Sequence, residues 1–365
     1  MALNCGIIGI TNTGKTTLFN CISPVKGEIT NFAFSATKSN IGIIKVPDQR
    51  LQELEKLYST KKVVPTTVEI VDIPGLAKGS SRGEGVGNKF LNDIRNADAL
   101  IHLIRCFDDE NLPHIEGSVD PVRDLETIEL ELQIKDIESV EKKLEKIEKM
   151  AKSGEKDAGK NAEVLRVIKN HLENFQPART LKLSDEESKY AEDLFLLTAK
   201  PVMYVCNVDE KSAVSGNRYV DKVKEALKNE ETEILVIAAG LEAEIAELED
   251  EDDRNDFLKD VGLSEPGVNK FIRAAYKLLK LRTFFTMGPK EIRAWTIKEG
   301  ANARKAAGIV HSDMERGFIR AEVMKYDDFV SLGSEYKCRE AGKLYVKGKN
   351  YSVEDGDILH IRFNV

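Results

Sequence analysis

Cysteine is scarce and scattered in this 365-residue chain. The five residues, Cys5, Cys21, Cys106, Cys206 and Cys338, are odd in number and include no C-x-x-C pair, which argues against a disulfide framework or a cysteine zinc site. Five histidines form no cluster at ligand spacing. No apolar run approaches the ~20 residues of a membrane-spanning helix. No basic stretch opens the chain, whose first residues already read as a strand. A cytoplasmic protein without membrane contact is therefore expected. The protein-kinase motif set is also missing.

Charge of one sign is short in one place. Net charge is −8, yet Arg282 to Val365 carries 15 Lys/Arg against 12 Asp/Glu, a net of +3, leaving −11 for the remainder. Two readings stay open: a C-terminal module that meets an anionic partner such as RNA, or an ordinary mixed-charge domain. The acidic run Glu242 to Asp260 reads as a solvated helical face.

What is present is sharper. Gly9-Ile10-Thr11-Asn12-Thr13-Gly14-Lys15-Thr16 fits G-x-x-x-x-G-K-[ST], the phosphate-binding P-loop. An apolar strand from Leu3 to Ile10 precedes it, and a helix starts at Thr17. Glycines let the backbone curl so that N–H groups, including those of Asn12, Thr13, Gly14 and Thr17, face phosphate oxygens at a helix N-terminus. Lys15 is expected on the β- and γ-phosphates and the Thr16 hydroxyl on Mg²⁺. Val68 to Asp72 is a second strand, ending in Asp72-Ile73-Pro74-Gly75, the D-x-x-G pattern. There Asp72 is expected to hold Mg²⁺ through water and the Gly75 N–H to meet the γ-phosphate.

The third motif bears on the base. After the strand Pro201 to Cys206 the chain reads Asn207-Val208-Asp209-Glu210, where GTPases carry N-K-x-D. The Asp of N-K-x-D accepts two hydrogen bonds from guanine. Glu210 is one methylene longer, and Val208 replaces the lysine that packs on the base. Adenine offers such a carboxylate nothing, and a buried unpaired carboxylate is costly. Glu210 is thus expected to turn out of the base pocket, leaving Asn207 to bond the N7/N6 edge and ATP to be preferred over GTP. The loop Ala238-Ala239-Gly240 fits a backbone border to the base at Ala239, or a plain strand exit.

Together with the run Lys78-Gly79-Ser80-Ser81-Arg82-Gly83-Glu84-Gly85-Val86-Gly87, these motifs resemble the YchF/Obg-like ATPase family of P-loop proteins. Lys290 to Ile297 and Gly308 to Asp313 are similar to the TGS module shared with threonyl-tRNA synthetase and stringent-response enzymes. The resemblance runs essentially end to end. It implies a P-loop NTPase with a doubly wound, mostly parallel α/β sheet, an inserted antiparallel helical hairpin and a C-terminal ubiquitin-like β-grasp (TGS) domain. It further implies ribosome or ribosomal RNA as partner, with no DNA, and a monomer is expected. In one respect the chain departs from the family. Switch I reads N-F-P-F-C-T there but Asn31-Phe32-Ala33-Phe34-Ser35-Ala36 here, with Thr37 one place late, so its threonine is either shifted or absent, and Ser35 and Thr37 are the candidates to substitute.

Periodicity supplies the domain limits. Leu3–Gly9, Val68–Asp72, Ala99–Arg105, Pro201–Cys206 and Ile234–Ala238 are strand-length apolar runs separated by helices and loops, as in a parallel sheet. From Thr127 the apolar positions Ile137, Val140, Leu144, Ile147 and Ala151 recur at steps of three and four, and Leu165, Ile168, Leu172 and Phe175 repeat the pattern. The expected division is 1–125 with 199–280 for nucleotide binding, 126–198 for the helical insertion and 281–365 for the C-terminal α+β domain.

Hydrolysis needs a group to orient water. Leu76, after D-x-x-G, has no polar atom for this. His114, in the loop Asp108 to Gly117, matches the catalytic histidine the family implies, and Asn12 matches an asparagine that in related proteins helps hold K⁺. Without a glutamine or an arginine finger, turnover should be slow, as in a switch awaiting a partner. Three readings remain: a slow ribosome-associated ATPase, an Obg-type GTPase, and a non-enzymatic adaptor gated by nucleotide.

Overall fold

The fold was read from a computed structural model, which describes residues 3–24, 39–75 and 86–364. The switch I residues Asn31 to Thr37, together with Leu76, Lys78 and Arg82, lie outside the described residues. The chain divides into two compact units, residues 1–42 with 69–271 and residues 43–68 with 272–365.

The first unit is built on a six-stranded sheet. Its strands are β1 (Asn4–Ile8), β2 (Asn40–Lys45), β4 (Thr67–Asp72), β5 (Ala99–Arg105), β6 (Val202–Asn207) and β7 (Ile234–Ile237), in the order β2-β4-β1-β5-β6-β7. The pairs β1–β4, β1–β5, β5–β6 and β6–β7 are all parallel. β5 and β6, apolar apart from His102, Arg105 and Asn207, are buried at every position, as expected of strands covered on both faces. The strand order reverses at β1, which has β4 and β2 on one side and β5, β6 and β7 on the other. A ligand site is expected beyond the carboxyl end of such a strand, and the P-loop sits there.

Two long helices follow β5. α4 (Pro121–Lys152) begins at a clear signal: Asp120 accepts hydrogen bonds from the Val122 and Arg123 N–H groups, and Pro121 occupies the first helical position. Its first turns place Leu125, Ile128 and Leu132 in the sheet core. Further along, Val140 and Ile147 pack with Leu165, Ile168 and Leu172 of α5 (Ala158–Glu173). Helices α1 (Lys15–Ile22), α2 (Gln49–Leu57) and α3 (Val86–Asn96) precede these in the chain.

The second unit has its own six-stranded sheet. Adding β3 (Val63–Val64), β8 (Leu281–Met287), β9 (Ile292–Lys298), β10 (Phe318–Lys325), β11 (Tyr345–Lys347) and β12 (Asp357–Phe363), the order is β11-β10-β12-β8-β9-β3. Its core includes Phe285, Ile292, Met324, Phe329 and Ile358.

Three expectations are corrected. Most of the stretch 43–68, between β2 and β4, groups with the second unit: β3 pairs in parallel with β9, and Leu51 and Leu54 of α2 join the core of the second unit. A two-residue strand whose partner lies far along the chain leaves no periodic trace. The helix placed at 126 starts at Pro121, so its first turns belong to the sheet core. Phe175, expected in the helical seam, lies past the end of α5 with φ 58° and is 74% exposed.

Candidate functional site

The P-loop closes around its own lysine. Gly14 stands at the entrance to α1 with φ 93°, and a Cβ there would lie 2.4 Å from Asn207 Nδ2, so only glycine fits. The first helical bond is Leu18 N–H to the Gly14 carbonyl at 2.9 Å, and the N–H groups of Lys15, Thr16 and Thr17 precede it. Lys15 is buried, and its Nζ donates to the Gly9 and Ile10 carbonyls at 3.1 and 2.6 Å. Burial lowers its pKa to about 8, against the opposing pull of Asp72. A Cβ at Gly75 would come within 3.1 Å of both Lys15 Nζ and the Thr11 amide nitrogen, so the D-x-x-G glycine and the P-loop are in close approach.

Thr16 and Asp72 meet beside the lysine. The Thr16 hydroxyl donates to Asp72 Oδ2 at 2.9 Å, and the Asn40 side chain also bonds this carboxylate. Asp72 is buried, and burial raises its pKa despite Lys15, Thr16 and Asn40, all of which favour the charged form. A buried carboxylate next to a hydroxyl is a hard-oxygen donor pair of the kind Mg²⁺ takes alongside phosphates and water. Thr11 Oγ1, on the same loop, is buried without a partner, as expected of a polar group facing a ligand position. No cluster of three His, Cys, Asp or Glu at metal spacing occurs among the described residues.

Asn207 makes two backbone contacts that the sequence does not reveal. Its side chain is 4% exposed; Nδ2 donates to the Thr13 carbonyl at 2.8 Å and Oδ1 accepts from the Ala239 N–H at 2.9 Å. The amide therefore ties the P-loop to the start of the helix Ala239–Glu247, and the Ala239 N–H is already used. Thr13 is buried as well, its hydroxyl donating to the Ile10 carbonyl at 3.1 Å. Val208 is 3% exposed and packs in the sheet core, so it cannot lie over a base as the GTPase lysine does. Glu210 is exposed at the start of a short turn, Glu210–Ser212, that Asp209 caps by accepting from the Ser212 N–H and hydroxyl at 3.1 and 3.0 Å.

His114 is held by a network that the sequence did not reveal. Its side chain is 3% exposed, with Nε2 2.9 Å from Asp124 Oδ2 in the first turn of α4. Nδ1 accepts from the Glu116 N–H at 3.1 Å. The other Asp124 oxygen accepts from Arg123 Nε and Nη2 at 3.3 and 3.2 Å. The neighbouring Pro113 carbonyl accepts from Asn12 Nδ2 at 3.2 Å, so this loop touches the P-loop itself. Two further polar residues are buried without a signal in the sequence. Arg105 is buried at the end of β5, its Nε donating to the Phe107 carbonyl at 3.1 Å. Glu242, expected on a solvated face, is 2% exposed and accepts from the Gly267 and Val268 N–H groups at 2.7 and 3.3 Å. Only the Asp120-Pro121 pair, which starts α4, was a legible hint to the Asp124 contact.

Comparison with known proteins gives the family and the fold. A family model described as a 50S ribosome-binding GTPase matches residues 4–170, and the C-terminal model of YchF GTPases, described as a protein of unknown function, matches 281–364. The chain is 48% identical to the ribosome-binding ATPase YchF of Bacillus subtilis, over all of both chains. The chain belongs to the YchF family. The corresponding Escherichia coli O157:H7 protein is 44% identical over the full length of both chains. The structure of the Schizosaccharomyces pombe YchF GTPase superposes with a TM-score of 0.86 at 35% identity, covering 99% of this chain and 97% of that one. Both units of the chain therefore have counterparts in the YchF fold. No helix among the described residues is long and apolar enough to cross a membrane.

Proposed function

We propose that this chain is a Mg²⁺-dependent nucleotide hydrolase that prefers ATP to GTP, turns over slowly and acts as a switch on the ribosome. The observation that carries the reading is the cluster of Lys15, Thr16, Asp72 and Gly75 at the reversal point of a parallel sheet. Lys15, released from the Gly9 and Ile10 carbonyls, binds the β- and γ-phosphates. Thr16 and Asp72 are the groups that would hold Mg²⁺, which when bound neutralises charge developing on the transferred phosphoryl group. Asn12 is the candidate to hold K⁺. His114 is the candidate to orient the hydrolytic water once its ring nitrogens are free.

The exposed position of Glu210 supports the preference for ATP, because guanine recognition needs a carboxylate fixed in the pocket. The names of the relatives, ribosome-binding ATPases, support the partner and the substrate. The α4–α5 pair and the second unit, read as a TGS-type β-grasp domain, are the surfaces offered to that partner. Calorimetric titration of ATP and GTP, each with Mg²⁺ and K⁺, tests the reading. ATP should bind at least tenfold tighter, a difference of ~1.4 kcal/mol. Tighter GTP binding would make the chain an Obg-type GTPase; ATP turnover indifferent to added ribosomes would reduce it to an adaptor.

A further inference from the structure

His114 cannot act where it stands. An acceptor at Nδ1, bonded to the Glu116 N–H, fixes the proton on Nε2, which donates to Asp124. Both nitrogens are therefore occupied, and the ring is turned into the protein with its side chain 3% exposed. The two bonds differ in strength. At Nδ1 the Glu116 N–H is a neutral donor in an exposed turn, with Arg123 Nη2 at the longer distance of 3.5 Å, whereas the bond to Asp124 is short, charge-assisted and buried. Asp124 cannot accompany the ring outward. It belongs to the first turn of α4, where Leu125 and Ile128 are packed in the sheet core and Arg123 holds the other carboxylate oxygen.

We propose that Asp124 is a positioning residue that holds His114 in a retracted, single-tautomer state and thereby sets the low basal turnover. The inference rests on His114 being the water-orienting group of the proposed reaction. The same loop provides a route for release. Asn12, on the P-loop, donates to the Pro113 carbonyl, so a phosphate chain or cation that recruits Asn12 frees the backbone next to His114. Nucleotide occupancy and the His114–Asp124 bond are thus linked through adjacent residues.

The test uses the full-length protein and its Asp124→Asn, His114→Ala and double variants, assayed with Mg²⁺ and saturating ATP. Asparagine keeps the size of the aspartate and removes the charge that strengthens the bond. Asp124→Asn should raise kcat roughly tenfold with KM for ATP unchanged, matching the loss of about one charge-assisted contact. The double variant should lose that gain. If Asp124→Asn leaves kcat unchanged or lowers it while His114→Ala inactivates, the holding role is overturned and the catalytic role of His114 survives. If His114→Ala turns over at the native rate, the reading of His114 fails first and this inference with it. Nitrogen-15 spectra of the imidazole in nucleotide-free protein give an answer independent of turnover. The native protein should show one Nε2–H tautomer and Asp124→Asn a mixture; a mixture in the native protein would overturn the proposal.

Discussion

Replacing Asn207 by alanine separates a clamp from a base reader. In the free protein the Asn207 amide satisfies two backbone groups, the Thr13 carbonyl and the Ala239 N–H, at 2.8 and 2.9 Å. Removing it leaves both without their partner in a place where Asn207 itself is 4% exposed. A buried backbone group stripped of its partner costs about 1–3 kcal/mol, and partial entry of water beside Gly14 lowers the sum to about 2–4 kcal/mol. For a unit of this size that corresponds to a fall in Tm of roughly 4–15 °C. The assay is thermal unfolding without nucleotide, followed by ATP and GTP titrations at a temperature where the variant is folded. Both affinities should fall by a common factor, because the P-loop is loosened for any phosphate chain. Asn207→Asp should be worse than alanine, since a carboxylate would face the Thr13 carbonyl oxygen. An unchanged Tm together with a selective loss of ATP binding would refute the clamp and restore Asn207 as a reader of adenine.

Other outcomes follow from the same cluster. Lys15 has its pKa lowered from 10.5 to about 8, so it is charged at pH 7 and largely neutral near pH 9 in the free protein. Phosphate binding restores the charge; calorimetry in buffers of different ionisation enthalpy should show proton uptake near pH 9 and almost none at pH 7. Because the folded value lies below the unfolded one, the free protein should gain stability as pH rises from about 8 towards 10.5, and a loss over that window would contradict the buried ammonium. Asp72→Asn should shift the Mg²⁺ dependence of turnover upward by about tenfold or more while nucleotide binding without metal is retained. Glu242→Ala removes the carboxylate that meets the Gly267 and Val268 N–H groups, and should cost about 2–3 kcal/mol in denaturant unfolding. A loss below about 0.5 kcal/mol would place that carboxylate in solvent instead.

How much of this was legible depends on how local each feature is. The P-loop, the strand ending in Asp72 and the strand ending in Asn207 are contiguous stretches whose residue types encode their own backbone shape. A glycine at a positive φ, an apolar run of strand length and a lysine after a turn all follow from the order of residues alone. So does the burial of the central strands, because a run apolar at successive positions needs cover on both faces.

The tertiary structure decided what depends on partners far apart in sequence. It assigned β3 to the second sheet, since β3 finds its hydrogen bonds on β9, and grouped α2 with it. It bonded Asn207 to Thr13 and Ala239, and it placed Val208 in the core. It seated His114 against Asp124 and Glu242 against the helix Gly267–Leu278. In each case a polar side chain leaving water has to find whichever donor or acceptor the fold brings within 3 Å or so. The sequence by itself determined the P-loop, with its glycines, the strand before it and the helix after it. Which side chains that site leaves free was settled only by packing, because hydrogen-bond satisfaction belongs to the whole fold and leaves no periodic pattern along the chain.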